Sequence, residues 1–569
     1  MLRFIHGYDE RYLPGLVKNG LLNKNSGIKV IQHFATPENE KFNIIAAKDG
    51  KLYNLVKENG FLFYIDRLQG GTFYRKYDFD HLLLREYQDA LGEWFLGMQM
   101  HEWGFVLNND WNRIRNQLAG VPPPWTERQI YDAVKEVSSC KWCIHLSCGT
   151  ALEYSRKQYS ETLPEYLEEM RRLFTLRQAE TGGLLLPCDS SFMATSMEYK
   201  LGARSTMPEL GVQTSLTRLQ VAIARGMSNA LGRPWGIYYE PWGGKPFSAP
   251  RFFENALNEW RLDNTIFCCD FTANGSNGGS SRAMQRRIYY YALMTGARFI
   301  SEEWGVSNTF HNWRDYPLTP YGAVKKDFID FAEKYPCMEP FVPFALVLPR
   351  EFEVIDLTYI SNPDSNTYLE RTIDGGAKRS FDHLKMVLRL IYARNGKVFG
   401  NEGHALTNSL FGDFFDVIYE DAGERAFSKY AYLVDASPDG GFAKSVAAGR
   451  KHKVLESADA GLLEQALGKI IKTDFPCNVA GGVHWLLNRS GDKWFLTMFN
   501  NEGVERSAEK GDCFLNEADI KTAVCFRKEP VNLRILKSWP EKGAIERQED
   551  GKYWCTIPAG GFYILEFSC

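Results

Sequence analysis

The sequence predicts a (β/α)8 barrel, followed by a flavodoxin-like α/β domain and a C-terminal β-sandwich. Strand-like and helix-like segments alternate over roughly the first 330 residues, and they form eight strand–helix units. The chain has 569 residues, which is too long for a single hydrophobic core. We therefore expect the barrel at residues 1–335, the α/β domain at 336–472 and the sandwich at 473–569.

Eight apolar runs are predicted as the barrel strands. In chain order they are 4–9, 27–34, 61–66, 95–102, 140–147, 184–189, 235–240 and 298–303. Every run except the second ends in a polar or titratable residue. In a barrel of this kind such residues lie at the C-terminal mouth, where the chemistry takes place.

The pattern changes after the barrel. Apolar strands at 344–348, 417–419 and 430–434 accompany predicted helices at 381–393 and 460–471, and they indicate a small α/β domain. Residues 336–343 are predicted as the linker that leads into it. From residue 479 onward, alternating apolar residues with Gly and Asn turns predict the β-sandwich.

A glutamate followed closely by tryptophan and glycine recurs at the ends of three predicted strands. The three pairs are Glu102 with Trp103, Glu240 with Trp242, and Glu303 with Trp304. Such a carboxylate can do proton or nucleophile chemistry while the indole stacks on the apolar face of a pyranose. Because the motif recurs in register along a βα pattern, it indicates a carbohydrate site.

Other strand ends supply further candidates for substrate contact. These are Asp9, Asp66, Arg67, His101, His145 and Asp189. An arginine at the position of Arg67 more often pairs with a neighbouring acid, and His145 is equally typical of a core histidine. Glu302 is expected to point away from the mouth because strand side chains alternate. Glu198 and Glu209 are expected to be surface or structural residues.

Composition narrows the class of protein. The net charge of -3 gives no electrostatic reason to expect nucleic acid or an anionic membrane as a partner. No run of 18 apolar residues is present, and the N-terminus lacks the features of a signal peptide. We therefore expect a cytoplasmic protein, with a trimmed secreted chain as the alternative. The aromatic content of 14% fits carbohydrate contact.

Cofactor motifs are weak. Cys140 and Cys143 have the spacing of half a metal site, but no second half accompanies them, so buried thiols are the better interpretation. The Gly-rich segment 274–281 lacks the GK[ST] ending of a phosphate-binding loop. We expect neither a metal nor another cofactor.

Three segments resemble the end of the barrel in clan A glycoside hydrolases. They are Arg233-Pro-Trp-Gly-Ile-Tyr-Tyr-Glu240, Tyr289-Tyr-Tyr-Ala-Leu-Met-Thr-Gly-Ala297 and Leu318-Thr-Pro-Tyr-Gly322. The chain is most similar to the family 42 β-galactosidases and their relatives, which include β-mannosidases. The resemblance implies a glycoside or oligosaccharide substrate, a retaining mechanism, and a homo-oligomer such as a trimer. It also implies Glu102 as acid/base and Glu240 as nucleophile.

Several alternatives stay open. The clan commonly has Asn directly before the acid/base, where this chain has His101. Glu303 is the rival nucleophile. An endo-acting enzyme, an inverting enzyme, a non-catalytic carbohydrate-binding barrel and a metal-dependent lyase or hydrolase are the competing functions.

Overall fold

The computed structural model describes most of the chain, and the statements below concern those residues. They are 1–31, 50–68, 81–101, 103, 117–122, 125–126, 128–129, 132–133, 163–189, 192–210, 217–241, 280–303, 309–336, 338–354, 375–393, 406–446, 453–507, 510–541 and 543–569.

Eight parallel strands form a closed barrel in chain order, as the sequence predicts. They are β1 Arg3–Gly7, β2 Ser26–Ile31, β3 Leu62–Leu68, β4 Phe95–His101, β5 Leu185–Asp189, β6 Met207–Leu210, β7 Gly236–Tyr239 and β8 Phe299–Glu302. The barrel closes where β1 pairs with β8. All eight carboxyl ends therefore meet at one mouth.

The prediction was wrong about the positions of β5 and β6 in the strand order. The run predicted as the sixth strand forms β5, and β6 was not predicted as a strand at all. The segment 140–147, predicted as the fifth strand, lies outside the described residues and is not among the eight strands of the closed barrel. β6 escaped prediction because it has only four residues and contains Pro208, which removes a backbone donor.

Helices surround the barrel. Their bounds are Leu13–Lys18, Lys51–Asn59, His81–Leu91, Leu163–Glu180, Thr195–Lys200, Thr217–Leu231, Arg282–Met294 and Pro320–Lys334. Short 3₁₀ turns lie at Gly92–Trp94 and Phe192–Ala194. Two helix starts are fixed by local hydrogen bonds: Met284 N donates to Ser281 Oγ at 2.8 Å, and Gly322 N donates to Thr319 Oγ1 at 2.9 Å. Such caps satisfy donors that a helix start otherwise leaves unpaired.

Side chains on the strands alternate between the barrel interior and the helix layer. Tyr64 and Tyr238 belong to the interior cluster, whereas Ile237 and Ile300 pack towards the helices. A bulge lies in β4 at Gly97, whose φ is 112° and whose added Cβ would lie 2.1 Å from a backbone oxygen of the next strand. Only glycine fits this close approach.

The α/β domain follows β9 Glu339–Pro340. Its strands are β10 Phe344–Leu348, β11 Phe415–Tyr419, β12 Tyr432–Asp435 and β13 Lys453–Glu456, in the parallel order β11-β10-β12-β13. Its helices are Gly375–Tyr392, Glu424–Phe427, Gly441–Val446 and Ala460–Asp474, with a 3₁₀ segment at Arg350–Val354. This order is that of the flavodoxin-like sheet.

Two antiparallel sheets complete the chain. Their strands, together with a separate β17-β18 hairpin, are β14 Cys477–Ala480, β15 His484–Ser490, β16 Lys493–Phe499, β17 Val504–Ser507, β18 Gly511–Phe514, β19 Ile520–Phe526, β20 Val531–Trp539, β21 Glu546–Arg547, β22 Tyr553–Ile557 and β23 Phe562–Ser568, and a 3₁₀ turn lies at Asn516–Ala518. The sheet orders are β14-β19-β22-β21 and β20-β23-β16-β15-β9. The predicted linker thus contributes an edge strand, because β9 pairs with β15.

The barrel contacts the α/β domain through the helix Thr217–Leu231, which packs along β11. At Gly226 an added Cβ would lie 2.2 Å from Val417 O, so the helix and the strand approach as closely as glycine permits. None of the helices in the described ranges combines the length and apolar character needed to cross a membrane.

Candidate active site

Three buried glutamates meet at the mouth of the barrel. Glu209 lies on β6, Glu240 directly follows β7, and Glu303 directly follows β8. Their relative exposures are 0%, 1% and 2%, and their carboxylate oxygens lie within 4.8 Å of one another. Carboxylates this close repel each other when all are ionised, so the interactions around them must offset that repulsion.

Strand register explains why these three side chains converge. Glu240 N donates to Leu210 O, and Glu303 N donates to Tyr239 O, both at 2.9 Å. The parallel ladder therefore continues one residue beyond β7 and β8. Because side chains alternate along each strand, neighbouring strands present these glutamates to the same interior space.

His101 joins this cluster from the end of β4. Its Nε2 lies 2.8 Å from Glu209 Oε1, and its ring packs edge-on against Tyr238 with centroids 5.5 Å apart. The histidine is buried, with 3% exposure. The residue that the clan pattern expects to be Asn is thus a histidine that contacts a mouth carboxylate.

Asp66 lies in the barrel interior beside a buried lysine. Lys29 Nζ donates to Asp66 Oδ2 at 2.6 Å and to the backbone oxygen of Glu302 at 2.5 Å. The hydroxyl of Tyr238 also donates to Asp66, at 3.4 Å. Asp66 is therefore neutralised by an ion pair. Lys29 was not predicted as a site residue, although a lone lysine inside the apolar run 27–34 was visible in the sequence.

Glu209 does not lie at the surface, which was one of the two expectations for it, because it is fully buried at the mouth. Glu198 is also buried rather than exposed. It accepts a hydrogen bond from Trp103 Nε1 at 2.7 Å. Burial raises the pKa of Glu198 to about 7, although hydrogen bonds from Trp103 and Thr206 oppose the shift.

Trp103 is fully buried and packs against Phe174, with ring centroids 5.4 Å apart. Its ring faces are therefore covered, which contradicts the expectation of a sugar-stacking platform at this residue. The physical reason is the bond to Glu198, which holds the indole within the core instead of over the mouth.

Asp9 lies two residues beyond the end of β1 and is partly exposed. Its carboxylate accepts hydrogen bonds from Arg11 Nε at 3.1 Å and from Nη2 at 2.7 Å. It is therefore engaged in a local ion pair. Glu302 points away from the mouth as expected, since its carboxylate contacts Lys325 Nζ at 2.7 Å in the helix layer.

The remaining predicted site residues fall outside the description. Glu102, His145, Trp242 and Trp304 lie outside the described residues, as do the side chains of Arg67 and Asp189. They stay predictions.

Two groups in the described ranges have the spacing of metal ligands. They are His101 with Cys188 and Glu209, and Glu209 with Glu240 and Glu303. The all-carboxylate group is of the kind that suits Mg²⁺, Ca²⁺ or Mn²⁺. The same three acids can also accept hydrogen bonds from the hydroxyls of a bound sugar.

The fold is similar to those of solved carbohydrate-active enzymes. A β-galactosidase from Bacillus circulans sp. alkalophilus has a TM-score of 0.47 at 11% identity, covering 100% of this chain and 99% of its own. An α-L-fucosidase isoenzyme 2 from Paenibacillus thiaminolyticus has a TM-score of 0.43 at 10% identity, with 100% of both chains covered. A GH42 β-galactosidase from G. stearothermophilus has a TM-score of 0.44 at 7% identity, covering 100% and 98%.

No protein-family model matches the sequence, and no curated protein matches it either.

Proposed function

We propose that this protein is a retaining glycoside hydrolase that cleaves β-linked sugars of the galactoside or mannoside type. The observation that carries the proposal is the buried glutamate cluster at the carboxyl ends of β6, β7 and β8. It brings one carboxylate oxygen of Glu240 within 4.8 Å of acids on both neighbouring strands. A retaining mechanism requires roughly 5–5.5 Å between the carboxyl groups of the proposed pair, Glu102 and Glu240. An inverting enzyme leaves about 6.5–9.5 Å for a water between its carboxyls.

Glu240 is the proposed nucleophile. In the first step its carboxylate bonds to the anomeric carbon while the glycosidic C–O bond breaks, and the acid gives its proton to the leaving oxygen. In the second step water attacks the anomeric carbon, the bond to Glu240 breaks, and the former acid takes the proton of the water. Glu102 is the proposed acid/base, because it directly follows His101 at the end of β4.

The neighbours of Glu240 fit this chemistry. Glu209 and Glu303 flank Glu240, each with a carboxylate oxygen within 4.8 Å of it. They are also placed to accept hydrogen bonds from sugar hydroxyls. His101 orients Glu209 through their shared hydrogen bond.

The test is hydrolysis of aryl β-galactoside, mannoside, glucoside, fucoside and glucuronide by wild type, Glu240→Ala and Glu102→Ala. We expect one sugar to be cleaved, Glu240→Ala to be inactive, and azide to restore its activity with an α-glycosyl azide as product. Exposed Glu546→Ala is the matched control and stays fully active.

Other results would redirect or reject the proposal. An active Glu240→Ala beside an inactive Glu303→Ala would move the nucleophile to β8. A product of inverted anomeric configuration would replace the retaining mechanism by an inverting one. If no aryl glycoside but a longer glycan is cleaved internally, the enzyme is endo-acting. If no glycan is cleaved but sugars still bind, the barrel is a non-catalytic carbohydrate-binding module.

The proposal includes a homo-oligomer, a trimer, by resemblance to the family 42 enzymes. Light scattering would then give a mass three times the 65.1 kDa of one chain. A mass of one chain would remove this part of the proposal and leave the chemistry untouched.

A further inference from the structure

A second cavity lies at the opposite end of the barrel from the glutamate cluster. It has a volume of about 660 Å³, and its lining includes the first residues of β1, β3 and β8. Leu62, Leu96 and Phe299, which belong to the interior core of the barrel, form its apolar floor. Its size is within the roughly 300–1,000 Å³ that small-molecule sites occupy.

The walls of this cavity are strongly cationic. Among the described residues, four basic side chains line it, namely Arg3, Arg233, Arg298 and Lys429, and Glu93 is the one acidic side chain. Three of the four come from the barrel and Lys429 comes from the α/β domain. The cavity therefore carries an excess of three positive charges, in a concave site where neighbouring charges reinforce one another.

The hydrogen bonds of these cations position them without neutralising them. Arg3 Nη1 donates to Gly60 O at 3.0 Å, and Arg233 Nη1 donates to Tyr199 O at 2.8 Å. Lys429 Nζ donates to Asn229 O. Carbonyl oxygens accept hydrogen bonds but carry no net charge, so these bonds leave the charge of each side chain intact. Glu93 offsets part of the charge of Arg3, whereas no acid among the described residues is paired with Arg298.

Arg3 and Arg298 differ in how firmly their side chains are held. The Arg3 guanidinium lies 3.7 Å from the centre of the Trp94 ring, which fixes it in a cation–π contact. Arg298 is exposed, and its side chain makes no hydrogen bond or ion pair within the described residues. A fixed cation beside a solvated one is suited to an anion that enters from solvent.

We propose that this cavity binds a small phosphate ester, with Arg298 and Lys429 as direct contacts of the phosphate. Guanidinium groups match the geometry of phosphate oxygens, and an excess of three charges favours a ligand with at least two negative charges. The apolar floor accommodates the organic part. The site does not depend on the glycosidase proposal, since it shares no residue with the glutamate cluster.

The test is isothermal titration of the full-length protein with glucose 6-phosphate and with uridine monophosphate, at fixed ionic strength. These probes distinguish a sugar phosphate from a nucleotide as the source of the phosphate. We expect saturable binding of at least one of them and no binding of glucose. Arg298→Glu and Lys429→Glu should each weaken binding on the order of tenfold or more, because each converts an attractive charge into a repulsive one.

Arg314→Glu is the matched control, since Arg314 is an exposed arginine that does not line the cavity. It should leave the affinity unchanged. Arg298→Gln, which removes the charge without reversing it, guards against misfolding and should weaken binding less than Arg298→Glu. Absence of saturable binding of both probes at millimolar concentration would overturn the proposal. Equal affinities for the wild type and both cavity variants would also overturn it.

Discussion

Fully buried carboxylates have different neighbours at the domain junction and at the barrel mouth. Where the barrel meets the α/β domain, acids contact cations: Arg225 Nε donates to Asp416 Oδ1 at 2.5 Å, and Arg218 lies 4.0 Å from Asp413. At the barrel mouth, Glu209, Glu240 and Glu303 each bring a carboxylate oxygen within 4.8 Å of the other two, and Glu209 also contacts His101. Pairing with cations offsets the cost of burial. Bringing acids together raises that cost, which is typical of a site selected for chemistry.

The domain junction also fixes a histidine in one neutral form. Burial opposes ionisation of Asp413, but Arg218 and the bond from His484 outweigh it and hold the pKa of Asp413 below its ordinary value. Burial, reinforced by Arg218, lowers the pKa of His484 to about 4. Its ring therefore accepts from Asn501 Nδ2 at 3.2 Å and donates through Nε2 to Asp413 at 3.3 Å.

The largest expected effect separates activity from stability at the mouth. Glu240→Gln keeps the shape of the side chain but removes the nucleophile, so we expect hydrolysis to fall by at least about 10³-fold. The melting temperature should stay unchanged or rise, because one like charge leaves the cluster. Calorimetry and a glycosidase assay on the same preparation measure both. A melting temperature lowered by several degrees would show that Glu240 is a structural acid like those at the junction.

The opposite result is expected at the junction. Asp416→Ala removes the partner of buried Arg225 and the acceptor of the Tyr430 hydroxyl, which donates at 2.7 Å. Leaving a buried charge uncompensated costs about 3–5 kcal/mol, whereas activity per folded molecule should be retained. Urea unfolding monitored by fluorescence measures the shift. The double variant Asp416→Leu with Arg225→Met should be less destabilised than Asp416→Ala, and a fully additive loss would contradict the pairing argument.

The sequence predicts this contrast only in part. Glu240 and Glu303 were predicted at the mouth because long apolar runs lead directly to them and the residues after them repeat. Glu209 was not, because β6 is short, contains Pro208 and follows a segment that was already counted as the sixth strand. Periodicity identifies long strands well and four-residue strands poorly.

Contacts between distant segments lie beyond what sequence patterns determine. The motif identified Trp103 as a sugar platform, yet Glu198 lies 95 residues away and holds the indole in the core. Lys29 and Asp66 come from different strands, and nothing in either local pattern indicates that they pair. Tertiary packing decides which polar side chains in a barrel are neutralised and which stay available for chemistry.

Lowering the pH should destabilise the folded protein, because it contains buried neutral histidines. Burial lowers the pKa of His484 to about 4 and that of His6 to about 3, both below the ordinary value near 6.5. The unfolded chain therefore binds protons first as the pH falls, and stability is lost from about pH 6.5 down towards pH 4. Melting temperatures across this range measure the loss. His484→Gln should flatten the slope, whereas exposed His311→Gln should not. Equal slopes in both variants would exclude His484 as a source.

The smallest expected effect concerns the acid that anchors Trp103. Burial raises the pKa of Glu198 to about 7, above its ordinary value of 4.5. The folded state therefore binds this proton more tightly, and stability present below pH 4.5 is lost as the pH rises through 7. Glu198→Gln keeps an acceptor for Trp103 Nε1 and removes the ionisation. The variant should be more stable than wild type at pH 8 by at most about 3 kcal/mol.

Wild type and Glu198→Gln can also be compared by their hydrolysis rates between pH 5 and pH 8. This comparison tests the barrel mouth, because Trp103 directly follows the proposed acid/base Glu102. Because the hydrogen bond from Trp103 Nε1 favours the ionised carboxylate, the anchor should hold above pH 7, and hydrolysis by wild type and by Glu198→Gln should show the same pH dependence. Gln178→Glu would add a buried charge, so it is not a suitable control for Glu198→Gln. Glu546→Gln makes the same replacement at an exposed residue and serves as the control. Identical pH dependences of stability in wild type and Glu198→Gln would mean that this carboxyl does not titrate in that range.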